Sequence, residues 1–136
     1  MAQSVDRQST PNALVRAYPW LALLAAIVIL IQAFFAGRFL FAGDDLLDVH
    51  GRVGELTFLL TIVLLVSAWL GRPSGRSTNL ELGLSAALLV LAVAQLVMGY
   101  SDDPDATATH VANGVLLMGL AATLTTLAFR RRAAQP

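Results

Sequence analysis

An all-α transmembrane four-helix bundle, running up-down-up-down and built from two similar helical hairpins, is the fold this sequence predicts. Three observations carry that reading. Of 136 residues, 57% are hydrophobic and 13% charged, with a mean hydropathy of +0.70, against roughly 45 to 50% apolar residues in soluble domains. Four apolar runs, each near the roughly 20 residues a helix needs to cross a bilayer, are separated by short polar loops. The charges are sorted by loop although the formal net charge is zero. With no cysteine in the chain, disulfides, thiolate metal sites, cysteine nucleophiles and covalent c-type haem are excluded. No basic face points to nucleic acid.

Residues 1–17 form a polar tail carrying Arg7 and Arg16. Tyr18-Pro19-Trp20 marks a membrane surface, with aromatics at headgroup depth and a proline suited to a helix start. The first helix is expected over about 20–41, where Gln32 and Arg38 are the strongly polar residues. The second runs from about 49 to 70 and stops at Gly71-Arg72-Pro73. The third spans about 80–100 with Asn79 as its N-cap, and the fourth about 107–129. The membrane domain is thus 18–130, followed by a tail over 131–136.

The N-terminal tail, the 72–76 loop and the C-terminal arginines hold seven of the nine basic residues, Arg7, Arg16, Arg72, Arg76 and Arg130 to Arg132. The other two loops hold six of the nine acidic ones, Asp44, Asp45, Asp48, Asp102, Asp103 and Asp105. The positive-inside rule then predicts a cell-membrane protein with both termini cytoplasmic and both acidic loops outside.

The two hairpins repeat. Gln32 precedes Gly37 as Gln95 precedes Gly99, Asp44-Asp45 matches Asp102-Asp103, and His50-x-x-x-Gly54 matches His110-x-x-x-Gly114. Because both hairpins have the same orientation, the repeat is parallel, about an axis along the membrane normal. In a four-helix bundle the second and fourth helices then lie across a diagonal of about 12 to 14 Å, with His50 and His110 at equal depth. That gap suits a flat macrocycle, and a glycine one turn deeper on the same helix face lets a porphyrin approach the backbone. The expectation is one haem b with His50 and His110 as axial iron ligands and Gly54 and Gly114 beside it, the alternative being interfacial histidines that hydrogen-bond loop carbonyls. Arg38 and Arg52 either neutralise propionates or snorkel and pair with the acidic loops. Zinc or copper on Asp45, Asp48, Asp103 or Asp105 is a weaker metal alternative.

Glu55 is an ionisable group inside the second helix, a candidate for proton transfer by its depth unless it pairs with Arg52 at i+3 spacing. Gln32 and Gln95 must find partners within apolar helices, as bundle glue or as contacts to a quinone. Gly37, Gly83, Gly99 and Gly119 are expected to admit close helix packing.

A parallel pair of hairpins, each with a glutamine then glycine near the end of its first helix, an aspartate-bearing loop and a histidine opening its second helix, resembles one four-helix half of the haem A synthase family. The likeness covers about 20–130. It implies haem binding at His50 and His110, and a homo-oligomer to supply the second half. Where that family carries a catalytic glutamate four residues before a histidine, Leu46 and Ala106 stand here, so haem-hydroxylating chemistry does not carry over. Bis-histidine ligation leaves no open iron position. The sequence therefore favours a cytochrome-like haem protein in electron transfer or haem handling, alone or in a larger membrane redox complex. Its rivals are a cofactor-free accessory subunit of a membrane protein complex and a small quinone-linked or haem-modifying enzyme.

Overall fold

A computed structural model describes residues 13–42 and 46–134; Arg7, Asp44 and Asp45, for which the sequence sets expectations, and the outermost residues of both tails lie outside them. Four helices follow one another: α1 Ala13–Ala42, α2 Leu47–Gly71, α3 Asn79–Gly99 and α4 Pro104–Ala133. Each is long and apolar enough to cross a membrane. The shortest, at 21 residues, reaches about 32 Å at 1.5 Å per residue. Packing runs α1 to α2, α2 to α3, α3 to α4 and α4 back to α1, and among the described residues neither diagonal pair is in backbone contact. This is the expected up-down-up-down bundle of a multi-pass membrane protein, with α2 and α4 across a diagonal.

Its core is made of small side chains around a few leucines. Ala22, Ala25, Ala68, Ala92, Ala121 and Ala128 surround Leu64, Leu88 and Leu124, one leucine from each of α2, α3 and α4. Lipid tails are as apolar as leucine, so association rests on van der Waals contact and internal hydrogen bonds, which alanines favour by letting backbones approach. Trp20, Phe34, Phe41, Leu59, Trp69, Val90 and Val97 face outward, as a lipid-solvated surface requires.

The ends of α1, α3 and α4 differ from expectation. α1 begins at Ala13, so Pro19 lies inside it rather than at its start. The added turns are held by tertiary contacts: Val15, Tyr18 and Pro19 are buried, and Ser67 Oγ donates to the Leu14 carbonyl at 2.8 Å. α4 starts at Pro104, capped by Asp103, whose side chain accepts from Asp105 N, and stays helical through all three closing arginines. Cations in the last turn favour a helix C-terminus. The N-cap of α3 is Thr78, not Asn79. Thr78 Oγ1 accepts from Glu81 N at 3.1 Å while the Glu81 carboxylate accepts from Thr78 N at 2.8 Å, a reciprocal capping box. The α2 to α3 connection turns at Gly75, the only described residue with positive φ, at 66°.

Candidate functional site

At the end of the bundle where α2 and α4 begin, a cavity of about 420 Å³ is lined by Gln32, Asp48, His50, Arg52, Gly54, Glu55, Gln95, Gly99, Tyr100 and His110, among others. Most of the residues singled out in the sequence meet here. Arg38 and Gly114 are not part of its lining.

The hairpin repeat is visible as repeated contacts. His50 Nδ1 lies 3.0 Å from the Gln32 carbonyl oxygen, and His110 Nδ1 lies 3.0 Å from that of Gln95. A carbonyl only accepts, so each Nδ1 donates, and in the neutral imidazole each Nε2 is then an acceptor. The glutamine amides then fold over the glycine four residues past each histidine. A Cβ on Gly54 would stand 2.8 Å from Gln32 Nε2, and one on Gly114 would stand 3.4 Å from Gln95 Nε2. From the facing helix, Asn113 Nδ2 donates to Gln95 Oε1 at 2.6 Å. Thr57 Oγ1 lies 3.4 Å from Gln32 Oε1 and donates to Val53 O at 2.9 Å. Each hairpin is therefore clasped by a histidine, a glutamine and a glycine.

The two clasps meet at the bundle axis. The His50 and His110 rings are in edge contact, their centroids 5.9 Å apart and their planes inclined at 60°. Gly99 makes room for this: a Cβ there would lie 3.0 Å from His110 Cε1. Among the described residues, every buried side-chain nitrogen and oxygen has a hydrogen-bond partner.

This geometry overturns the haem b expectation. Among the described residues no group of three or more His, Cys, Asp or Glu side chains could hold a metal ion. The zinc or copper alternative falls on the same finding for Asp48, Asp103 and Asp105, Asp45 lying outside the described residues. The space that Gly54 and Gly114 were expected to give a porphyrin is taken by the glutamine amides, and the imidazoles pack on each other. Axial ligation by His50 and His110, propionate pairing by Arg38 and Arg52, and the cytochrome-like, electron-transfer and haem-handling roles all depended on that iron and are withdrawn together.

Glu55 is exposed at the cavity rim and accepts a hydrogen bond from Tyr100 Oη at 3.0 Å. That bond, and then the carboxylate's charge, favour the neutral phenol and raise the Tyr100 pKa above its ordinary value. Gly37, Gly83 and Gly119 open onto empty space instead of a neighbouring helix, whereas Gly99 does admit a close contact.

Sequence reasoning missed Asn113 and Tyr100. Asn113 carried a usable signal, a strongly polar side chain in an apolar run that must find a partner. Tyr100 carried none, because an aromatic at a helix end reads equally as interfacial.

Compared with protein-family models, curated proteins and solved structures, the chain matches none. The resemblance to the haem A synthase family gains nothing from these comparisons and brings no cofactor to the site.

Proposed function

We propose that this protein is a cofactor-free accessory subunit of a membrane protein complex, with its polar interior serving to hold the bundle in one register and α4 serving as the docking face. The observation that carries this reading is the outward face of α4. Gly119, Ala122, Thr123 and Thr126, spaced i, i+3, i+4 and i+7, are exposed and lie on one side of the helix. No large hydrophobic is exposed on α4 beyond Leu116. The threonine hydroxyls turn back to the Gly119 and Ala122 carbonyls at 2.8 and 2.9 Å, so the face is small and presents little unmet polarity. The outward faces of the other helices carry Leu, Ile, Val, Phe and Trp, with Gly83 and Ala87 on α3 a shorter small pair. Small faces are what membrane helices use to approach one another. The docked element on this reading is a transmembrane helix of another subunit or of a second copy.

Gly119→Leu and Ala122→Leu are expected to weaken the assembly by roughly tenfold or more, as overpacking of a close interface does. Val90→Leu on α3 serves as the control. Native-gel mass in mild detergent measures it; unchanged assembly size in both α4 variants sinks the reading. Since the chain lacks cysteine, Ala122→Cys cross-linking separates a second copy from a different subunit by band mass.

The orientation follows from charge placement. Six of the eight described arginines, Arg16, Arg72, Arg76 and Arg130 to Arg132, sit at the end holding the termini, which supports cytoplasmic termini and histidine-bearing loops on the outer side.

A second reading rests on the cavity. Two imidazole Nε2 acceptors beside the Tyr100 and Glu55 pair match the hydroxyl donors of a quinol, which would reach the site from the bilayer. A short-chain quinol is then expected to raise the thermal midpoint of the wild type and not of His110→Gln; equal shifts in both rule it out.

A further inference from the structure

At the opposite end of the bundle, between the start of α1 and the end of α4, lies a second cavity of about 540 Å³ that none of the roles above uses. Arg16, Arg76, Arg131 and Arg132 line it, and among the described residues Glu81 is the single acidic one of its wall. That acid is already matched: Arg131 Nε lies 3.1 Å from the Glu81 carboxylate. Three guanidinium groups are thus in surplus. The side chains of Arg16 and Arg76 have no ionic partner among the described residues. The Arg132 guanidinium is held 5.5 Å over the Trp20 ring, a cation–π contact. Trp20 in turn packs edge-on against Phe129 with centroids 5.0 Å apart. One arginine is therefore fixed at the aromatic level of the membrane interface. The rest of the wall includes Val15, Ala17, Pro19 and Ala128, all apolar.

We infer that this cavity binds the phosphodiester headgroup of an anionic phospholipid. A surplus of guanidinium donors suits phosphate oxygens, which arginine engages in a fork. The apolar wall beside them suits the start of an acyl chain, and neither feature alone would select a lipid. A basic pocket between transmembrane helices at interface depth is the setting in which anionic headgroups are held.

The test uses the full chain in detergent micelles, with native mass spectrometry counting lipid retained from phosphatidylglycerol or phosphatidylcholine added at equal concentration. The wild type is expected to retain phosphatidylglycerol at least tenfold better. Arg16→Gln with Arg76→Gln is expected to lower that retention by roughly twentyfold, since each interfacial arginine contributes about a fivefold factor. Arg72→Gln with Arg130→Gln removes the same charge from the same end but outside the cavity, and is expected to leave retention within about twofold. Circular dichroism and an unchanged thermal midpoint establish that both double variants are folded. Equal retention of the two lipids overturns the proposal, as does equal loss in the two double variants, which would mean diffuse surface charge. Inorganic phosphate provides the remaining arm. If millimolar phosphate displaces the lipid completely, the cavity is a simple phosphate site and the lipid assignment fails; retention that survives phosphate supports it.

Discussion

Glu81→Ala is expected to lower the unfolding free energy by about 3 kcal/mol or more, because it removes a carboxylate that is 1% exposed and leaves its partner without a counter-charge. Three separate functions are lost at once. The capping box opens, freeing Thr78 N, which now donates at 2.8 Å, at a cost of about 1 kcal/mol. Thr78 Oγ1 loses its acceptor at 3.0 Å. Arg131, whose side chain is 28% exposed, loses the pair that ties the last turn of α4 to the first turn of α3. Because Arg131 is partly exposed, its share is smaller than that of a fully buried pair. Glu81→Gln should fall between, since its amide oxygen can still accept from Thr78 N. Arg131→Ala should cost less than Glu81→Ala, because Glu81 keeps both Thr78 bonds. Denaturant titration in mixed micelles, with a double-mutant cycle over Glu81 and Arg131, measures these differences. A Glu81→Ala variant within about 0.5 kcal/mol of wild type, the usual range for a surface change, would show that the network is not structural.

Glu81 also shows where sequence reasoning reaches. The four spans, their alternation and the diagonal relation of α2 and α4 were legible, because length, hydropathy and short loops leave little choice. The capping box was legible in principle: Thr78-Asn79-Leu80-Glu81 has the S/T-x-x-E spacing, yet Asn79 reads as an equally good cap when only the residue before the apolar run is weighed. The Arg131 partner, 50 residues away, was not legible. It depends on α4 remaining helical past Phe129 and on α1 and α4 closing the ring, neither of which local propensity decides. The early start of α1 is of the same kind, set by buried Val15 and Tyr18 and by the Ser67 bond to Leu14.

At the histidine end the repeat led to the right neighbours and to the wrong occupant. Topology placed His50 and His110 at one depth across the diagonal, and their rings do touch. A glycine, however, states only that a side chain is absent. It does not state what fills the space, and in both hairpins the filler is the glutamine of the preceding helix. The information needed was already in the repeat, in the matched spacing of glutamine and glycine, but only a bundle register converts that spacing into a contact.

Gly54→Leu tests this directly and is the second large effect expected, a loss on the order of 3 kcal/mol. An added Cβ would stand 2.8 Å from Gln32 Nε2 and 3.8 Å from Gln32 Cδ, and Gln32 is itself 9% exposed, so its amide has little room to swing away. Helix propensity works in the opposite direction. Replacing a mid-helix glycine gains about 1 kcal/mol where nothing is in the way, as at Gly37, where a Cβ meets nothing within 4 Å. Gly37→Ala is therefore expected to stabilise, Gly54→Ala to fall near zero as the two terms offset, and Gly54→Leu to destabilise strongly. Gln32→Ala should relieve part of the Gly54→Leu defect. It removes the obstructing amide but leaves the Gln32 carbonyl that His50 holds at 3.0 Å, and Thr57 keeps its bond to Val53. The double variant should then be more stable than the sum of the two single losses by about 1 kcal/mol or more, the coupling expected of residues in contact. Strict additivity would mean that Gln32 does not occupy the cleft above Gly54, and the clasp would no longer explain why histidine, glutamine and glycine recur together in both hairpins.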